Sequence, residues 1–127
     1  MIVVDASAAV SALLNSGSAR KALDDGQLHA PHLVDSEVAS VLRRQVVAGS
    51  LVPEDGWAAL DTWRHLGVTR HPVFALLDRV WQLRDNLSAY DATYVALAEA
   101  LGIALITADG RIGRAPGLRC PVTVVPR

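Results

Sequence analysis

The sequence predicts an α/β fold, a single domain in which a short parallel sheet of four or five strands is flanked by helices. Three observations carry that prediction. Short apolar runs, beginning with Ile2-Val3-Val4, lack the alternation of a half-solvated strand and read as strands covered on both faces. Between them stand segments with apolar residues three and four apart, the period of a helix with one buried face. Strands separated by helices of that length pack as a parallel sheet with helices on both sides. A chain of 127 residues makes one domain, able to bury roughly 65–70% of the surface its unfolded form exposes.

The elements follow in order. The first strand ends at Asp5; strong helix formers fill 6–14, and Asn15-Ser16-Gly17-Ser18 closes that helix. Residues 19–23 suggest a second short helix ending at Asp25-Gly26. Leu28-His29-Ala30 reads as a brief second strand halted by Pro31, a residue favoured at a helix start. From His32 the pattern turns helical: Val34, Val38, Val41, Leu42 and Val46 form a stripe with Glu37 one position off it, and Ala48-Gly49-Ser50 is the stop. Pro53 opens another helix, with Trp57, Leu60, Trp63 and Leu66 spaced by three until Gly67 breaks it. Residues 68–73 are ambiguous, with a short strand ended by Pro72 as one reading. Phe74, Leu77, Val80, Trp81 and Leu83 suggest one more helix before Asn86. The stretch 87–114 then reads as a helix, a tight turn at Gly102 and a buried strand over 103–106, and 122–125 is a last strand between two prolines.

Composition narrows the function. Hydrophobic residues make up 51% and aromatics 5%, so the core is built from Ala, Val and Leu. The mean hydropathy of +0.28 points to more apolar surface than one small core hides, hence to an oligomer or a standing partner. A net charge of −1 argues against a uniformly basic nucleic-acid binder, while eleven arginines among twelve basic residues leave room for a local basic face. One cysteine, Cys120, permits no internal disulfide and fits a reducing compartment. The opening MIVVDASAAV has no basic flank and holds Asp5 inside its apolar run, unlike a signal peptide. The apolar stretch 92–106 is broken by Glu99 and Gly102 and is no membrane span. The expected location is the cytoplasm, with no membrane partner.

The acidic residues carry the chemistry. In an open parallel sheet, ligands bind at the carboxyl ends of the strands. Asp5 directly follows the first strand and Asp109 follows the 103–106 strand, while Glu37 and Asp91 stand early in helices that begin at that same edge. Each has an ordinary structural role open to it: Asp5 as a helix cap, Asp91 in a capping box with Ser88, Asp109-Gly110 as a turn, Glu37 at a positive helix start. Together they converge. Two unit charges about 4 Å apart repel by roughly 4 kcal/mol at an effective dielectric of about 20, so four carboxylates at one edge call for a cation. All-oxygen ligands suit Mg²⁺ or Mn²⁺. Such a metal lowers the pKa of a bound water, orients it and neutralises charge on a phosphodiester.

Four segments, IVVDASA at 2–8, VDSEVASVLRR at 34–44, YDATYVALAEALG at 90–102 and LITADGRI at 105–112, resemble the PIN domains, and among them the VapC-type toxins of toxin–antitoxin pairs. They stand in the family's order and approximate spacing and span almost the whole chain, 1–127. The resemblance implies a metal-dependent endoribonuclease that leaves 3′-hydroxyl and 5′-phosphate ends. It also implies a homodimer held inactive by a VapB-type antitoxin whose arm enters the acidic groove. Carried over, Asp5 and Asp91 match direct metal ligands, Glu37 and Asp109 complete the acidic quartet with Asp109 as a third candidate ligand, and Ser7 and Thr107 match the small hydroxyl positions beside the pocket.

Arg43 and Arg44, six and seven residues after Glu37, and Arg111 and Arg114, after Asp109, are candidates to hold RNA phosphates or are ordinary surface arginines. Trp57, Trp63 and Trp81 suit a core or an interface, with base stacking as the alternative. The histidines at 29, 32, 65 and 71 lack metal-motif spacing, Glu99 reads as structural, and no G-x-S-x-G or Walker pattern occurs. A haloacid-dehalogenase-type phosphatase would want an Asp where Ser7 stands, and a receiver domain would want a lysine late in the chain, whereas the one lysine is Lys21. The remaining alternative is a non-catalytic PIN-like module that binds RNA or protein without cutting.

Overall fold

A computed structural model describes residues 1–24 and 26–127. Five strands form one sheet: β1 (Ile2–Val4), β2 (Leu28–Pro31), β3 (Val68–His71), β4 (Ala104–Thr107) and β5 (Val122–Val124). All pairings are parallel, in the order β3-β2-β1-β4-β5. Among the described residues seven α-helices accompany them: α1 (Ala6–Leu14), α2 (Ser18–Asp24), α3 (Val34–Val47), α4 (Pro53–Arg64), α5 (Leu77–Gln82), α6 (Ala89–Leu101) and the single turn α7 (Gly110–Gly113). The α/β expectation holds, and the ambiguous 68–73 segment is an edge strand that stops just before Pro72, where a missing N–H costs least.

The order of strands places the site. The chain steps outward from β1 to β2 and β3, then crosses back past β1 to lay down β4 and β5. Right-handed crossovers therefore put the helices of the first half on one face and those of the second half on the other. β1 and β4 are the pair from which the chain departs in opposite directions, and at such a switch point the loops diverge and leave a crevice beyond the strand ends. The centre is dry: Val3, Val4, Leu105, Ala30 and Val34 have no exposed surface. α6 packs across β1, β2 and β4, with Ala92 through Ala98 buried. It ends at Gly102, whose φ of 67° lets the chain turn into β4 at no Cβ cost.

Some boundaries differ from expectation. Pro31 is the last residue of β2, not a helix opener; its β1 neighbours pair only as far as His29, so the missing donor breaks no bond there. α3 starts at Val34. α4 ends at Arg64, so Leu66 lies past it. The predicted helix from Phe74 begins as one 3-10 turn (Phe74–Leu76) before α5. There Leu76, Val80 and Leu83 are buried, while Phe74, Leu77 and Trp81 are exposed at 85%, 51% and 68%. Of the three tryptophans, only Trp63 is core; Trp57 and Trp81 lie out on the surface, under Arg64 and Arg84 respectively. The expected stop of the second helix at Asp25 lies outside the described residues. Among the described residues no helix is long and apolar enough to cross a membrane.

Candidate active site

Asp5 is the floor of the crevice. It is 4% exposed and caps α1: Oδ1 accepts from the Ala8 N–H at 2.9 Å and from the Ser7 hydroxyl at 2.7 Å. Its Oδ2 accepts from the Thr107 hydroxyl at 2.5 Å. Ser7 in turn accepts from the Ala108 N–H at 2.9 Å, and Thr107 from the Asp109 N–H at 3.0 Å. The two hydroxyls thus stitch the end of β1 to the end of β4 and fix the carboxylate between them. Burial nevertheless pushes the Asp5 carboxyl above its ordinary range, because these three donors only partly replace water and the nearby Asp91 adds a like charge.

Asp91 and Glu37 enter from the two faces of the sheet. Ser88 caps α6 and bonds the Asp91 N–H at 3.1 Å, which sets the first turn of that helix over the crevice. The Asp91 carboxyl is held up by burial and by the charge of Asp109. Glu37, in the first turn of α3, is half-buried; burial and the charges of Asp91 and Asp5 raise its pKa. Its Oε1 accepts a 2.6 Å hydrogen bond from the Tyr94 hydroxyl. Tyr94 lies three residues after Asp91 on α6 and is 1% exposed, and it is the tie that holds the two helices' acidic turns together. Sequence reasoning passed over it; the signal was its i+3 position relative to Asp91, which puts both on one helix face.

Asp109 differs from the other three. It caps α7 and is clasped by Arg111, with Nη2 to Oδ2 at 2.7 Å and Nε to Oδ1 at 3.1 Å. The guanidinium holds its carboxyl below the ordinary range. Arg111 is 79% exposed on its side chain, so the clasp closes from the solvent side.

The four predicted carboxylates thus feel one another's charge, but as neighbours rather than as a closed cage: among the described residues, no three acidic, imidazole or thiol groups converge as a ready ligand set. That suits a hard cation which keeps most of its waters and takes one or two carboxylates from the protein. Asp5 and Asp91 are the two not engaged by a tyrosine or an arginine. The donor set is all oxygen, and three carboxyls pushed upward with no basic partner are what a bound cation relieves.

The candidate arginines separate. Arg44 turns toward the crevice, where its charge reaches Glu37. Arg43, one residue earlier, lies along the apolar seam between α3 and α4 with Leu42, Val46 and Trp57, away from the carboxylates. Arg114 folds its guanidinium over Gly110. Arg127, which no sequence pattern marked, bonds the Ala108 carbonyl at 3.3 Å and its charge reaches Asp109. Glu99 is structural: it takes Arg79 at 2.6 Å and the Arg119 N–H at 2.7 Å, far along α6 from the crevice. His29 and His71, on neighbouring strands, share an N···N contact of 2.9 Å.

An acidic crevice at the switch point of a five-stranded parallel sheet is the setting in which the comparisons with known proteins belong. The family model for the PIN domain matches residues 2–118. Ribonuclease VapC9 of Mycobacterium tuberculosis is 60% identical over 127 residues, all of both chains. Among solved structures, Mycobacterium tuberculosis VapC20, a Sarcin-Ricin loop cleaving toxin, superposes with a TM-score of 0.67 at 22% identity over 90% of this chain and 94% of its own. VapBC2 of Rickettsia felis, bound to a DNA fragment from its promoter, does so with 0.68 at 15% identity over 98% of each. At those identities the two structures speak for the fold. The chain belongs to the PIN domain family. Within it, the full-length likeness places it among the VapC ribonucleases.

Proposed function

We propose that this protein is the ribonuclease toxin of a VapBC pair, a Mg²⁺- or Mn²⁺-dependent endoribonuclease whose PIN unit spans 1–127 and whose site comprises Asp5, Glu37, Asp91 and Asp109. The observation that carries the reading is arrangement: Asp5, Glu37 and Asp91 meet at one strand edge, Ser7 and Thr107 hold Asp5, Tyr94 of the Asp91 helix holds Glu37, and none of the three has a salt-bridge partner among the described residues. Asp5 and Asp91 would hold the divalent ion, with Asp109 joining once Arg111 swings aside. When bound, the ion supplies positive charge against the phosphodiester and acidifies water.

The chain's own residues do the rest. Ser7, Thr107 and the Ala8 N–H fix the orientation of Asp5 and fill three of its four acceptor sites, which leaves one lone pair on Oδ2 for a ligand. Tyr94 occupies Glu37 Oε1 and leaves Oε2 to take a proton from the attacking water, a task that a raised carboxyl performs well near neutral pH. Water attacks phosphorus as it gives its proton to Glu37, the P–O3′ bond breaks, and the 3′ oxygen takes a proton from solvent water to leave as a hydroxyl while the phosphate stays on the 5′ side. The apolar seam between α3 and α4 and the exposed Phe74, Leu77 and Trp81 supply surfaces for a VapB-type antitoxin and for a homodimer.

Divalent-dependent cleavage of RNA, abolished by EDTA and by Asp5→Asn or Asp91→Asn, tests the reading. Mapping the 5′ ends of the fragments reports the bond broken. Cleavage that persists in both variants overturns the site, and absence of cleavage across many RNAs turns the protein into a non-catalytic binding module.

A further inference from the structure

Beside the carboxylates lies a second feature to which no role has been given. A cleft of about 300 Å³ opens between α1, α3 and the segment after β5, lined by Ser7, Asn15, Arg44, Gln45 and Arg127 and by apolar side chains of α1 and α3. Its inner wall is Ser7, the residue whose hydroxyl donates to Asp5 at 2.7 Å. The cleft therefore adjoins the Asp5 carboxylate through Ser7. Its two cations come from opposite sides. Arg44 reaches in from α3, steadied by a 3.1 Å bond from Nη1 to Ser40 Oγ. Arg127 reaches in from the strand beyond, steadied by its bond to the Ala108 carbonyl. Ala108 itself is pinned to Ser7, so Arg127 is tied to the same stitch that orients Asp5. Each guanidinium commits one of its five donors in these contacts.

A polyanion approaching Asp5, Glu37 and Asp91 meets like charge. Binding energy has to come from cations placed beside the acidic centre. Arg111 is closed on Asp109, Arg43 faces the other side of α3, and Arg114 lies over Gly110. Arg44 and Arg127 are the guanidiniums that share one cleft with Ser7. We propose that this cleft is an RNA phosphate subsite, in which Arg44 and Arg127 clamp a backbone phosphate next to the one held at the carboxylates. The proposal rests on the ribonuclease reading above. A single-stranded backbone fits it, since the clamp asks only for phosphate charge and a path that leaves the crevice past Ser7, and Asn15 and Gln45 offer amides to sugar or base edges along that path.

The test uses the intact protein cutting a labelled single-stranded RNA at several NaCl concentrations, with Arg44→Gln, Arg127→Gln, Arg44→Lys and Arg43→Gln beside wild type. Arg44→Gln and Arg127→Gln are expected to raise KM about fivefold each with kcat within about twofold, and each to flatten the slope of log(kcat/KM) against log[salt] by about 0.7. Arg44→Lys, which keeps the charge, recovers most of the slope, and Arg43→Gln, one residue away on the other face, keeps the wild-type salt slope. If the Arg44 and Arg127 variants match Arg43→Gln while wild type cuts RNA, the subsite is overturned and the ribonuclease stands. If they cut normally and lose only binding to a VapB-type partner, the cleft belongs to that protein and the proposal fails. If wild type cuts no RNA with divalent ions present, both readings fall together.

Discussion

Asp35 and Glu37 stand two residues apart in the first turn of α3, and the fold treats them in opposite ways. Asp35 is fully served: Arg70 grips it twice, at 2.7 and 2.8 Å, and the buried Trp63 indole donates to it at 2.8 Å. The Arg70 contact holds its carboxyl below the ordinary range, against a smaller upward push from burial. Glu37 has a tyrosine hydroxyl instead of a guanidinium and two acidic neighbours, and its pKa moves up. The same contrast runs through the molecule. Glu99 is pushed up by burial but held down more strongly by Arg79 and the Arg119 N–H, whereas Asp5 and Asp91 have no such partner and stay up. Carboxylates that hold the fold are neutralised within the chain. Those at the switch point have no such basic partner among the described residues, and Asp109, clasped by an exposed Arg111, stands between the two classes.

The largest effect expected from breaking this contrast is on activity. Asp5→Asn, Asp91→Asn or Glu37→Gln lowers RNA cleavage by about 10²- to 10⁴-fold in a gel assay. In the metal-free protein Asp91→Asn raises Tm, because it removes a charge that burial and the neighbouring Asp109 disfavour; Asp5→Asn removes a charge disfavoured mainly by burial, and its gain is smaller because one acceptor oxygen of the cap is lost. Glu99→Gln reverses both signs: cleavage survives, and stability falls by about 1–2 kcal/mol in denaturant titration, since Arg79 loses its carboxylate partner and keeps only the Gly117 carbonyl and Gln82. A crevice aspartate whose loss destabilises the metal-free chain, or a Glu99 variant as stable as wild type, would break the division.

The same opposition sets a pH profile for the metal-free protein. Asp5, Glu37 and Asp91 have raised pKa values, so the folded state is penalised above them and gains stability as pH falls through them toward the unfolded values near 4. Asp35, Glu99 and Asp109 have lowered values, so their contribution is complete above the unfolded range and is lost as pH falls through the folded ones. Thermal melts in EDTA should therefore rise as pH falls through the raised carboxyls, pass a maximum near the ordinary carboxylate range, and then decline. Mg²⁺ should flatten the neutral limb. A Tm that falls steadily from pH 7 in EDTA sinks the claim that the crevice is electrostatically frustrated.

Much of this was legible in the sequence because it is written in local grammar. Ile2-Val3-Val4 followed by Asp5, Ser88 three before Asp91, and Gly102 between helix and strand each specify a strand end, a cap or a turn from neighbouring residues alone. The convergence of four carboxylates followed from the rule that ligands gather at strand ends. What stayed hidden depends on contacts between distant segments. The outward turn of Phe74 and Trp81 could not be read, since a stripe at spacings of three and four looks alike whether it faces a core or solvent. Arg127 carries no motif; it matters because β5 delivers it to Ala108. The split between Arg43 and Arg44 is a rotation of 100° per residue around α3, decided by which face Val38 and Leu42 bury.

The smallest predicted effect is the most discriminating for the comparison, because it removes one oxygen. Tyr94→Phe keeps the buried ring and deletes the hydroxyl that donates to Glu37 Oε1. The lost bond costs about 1 kcal/mol of stability, a shift in Tm of a few degrees. A purely structural tyrosine would stop there. If the hydroxyl also fixes Glu37 for its proton, kcat falls about tenfold while KM holds, because the carboxylate keeps its charge and loses only its orientation. Combining Tyr94→Phe with Glu37→Gln sharpens the point: the tyrosine change should then have almost no further effect on kcat, since the group it positions is already gone. Independent, multiplicative losses in that double variant would show that Tyr94 acts on the crevice through something other than Glu37.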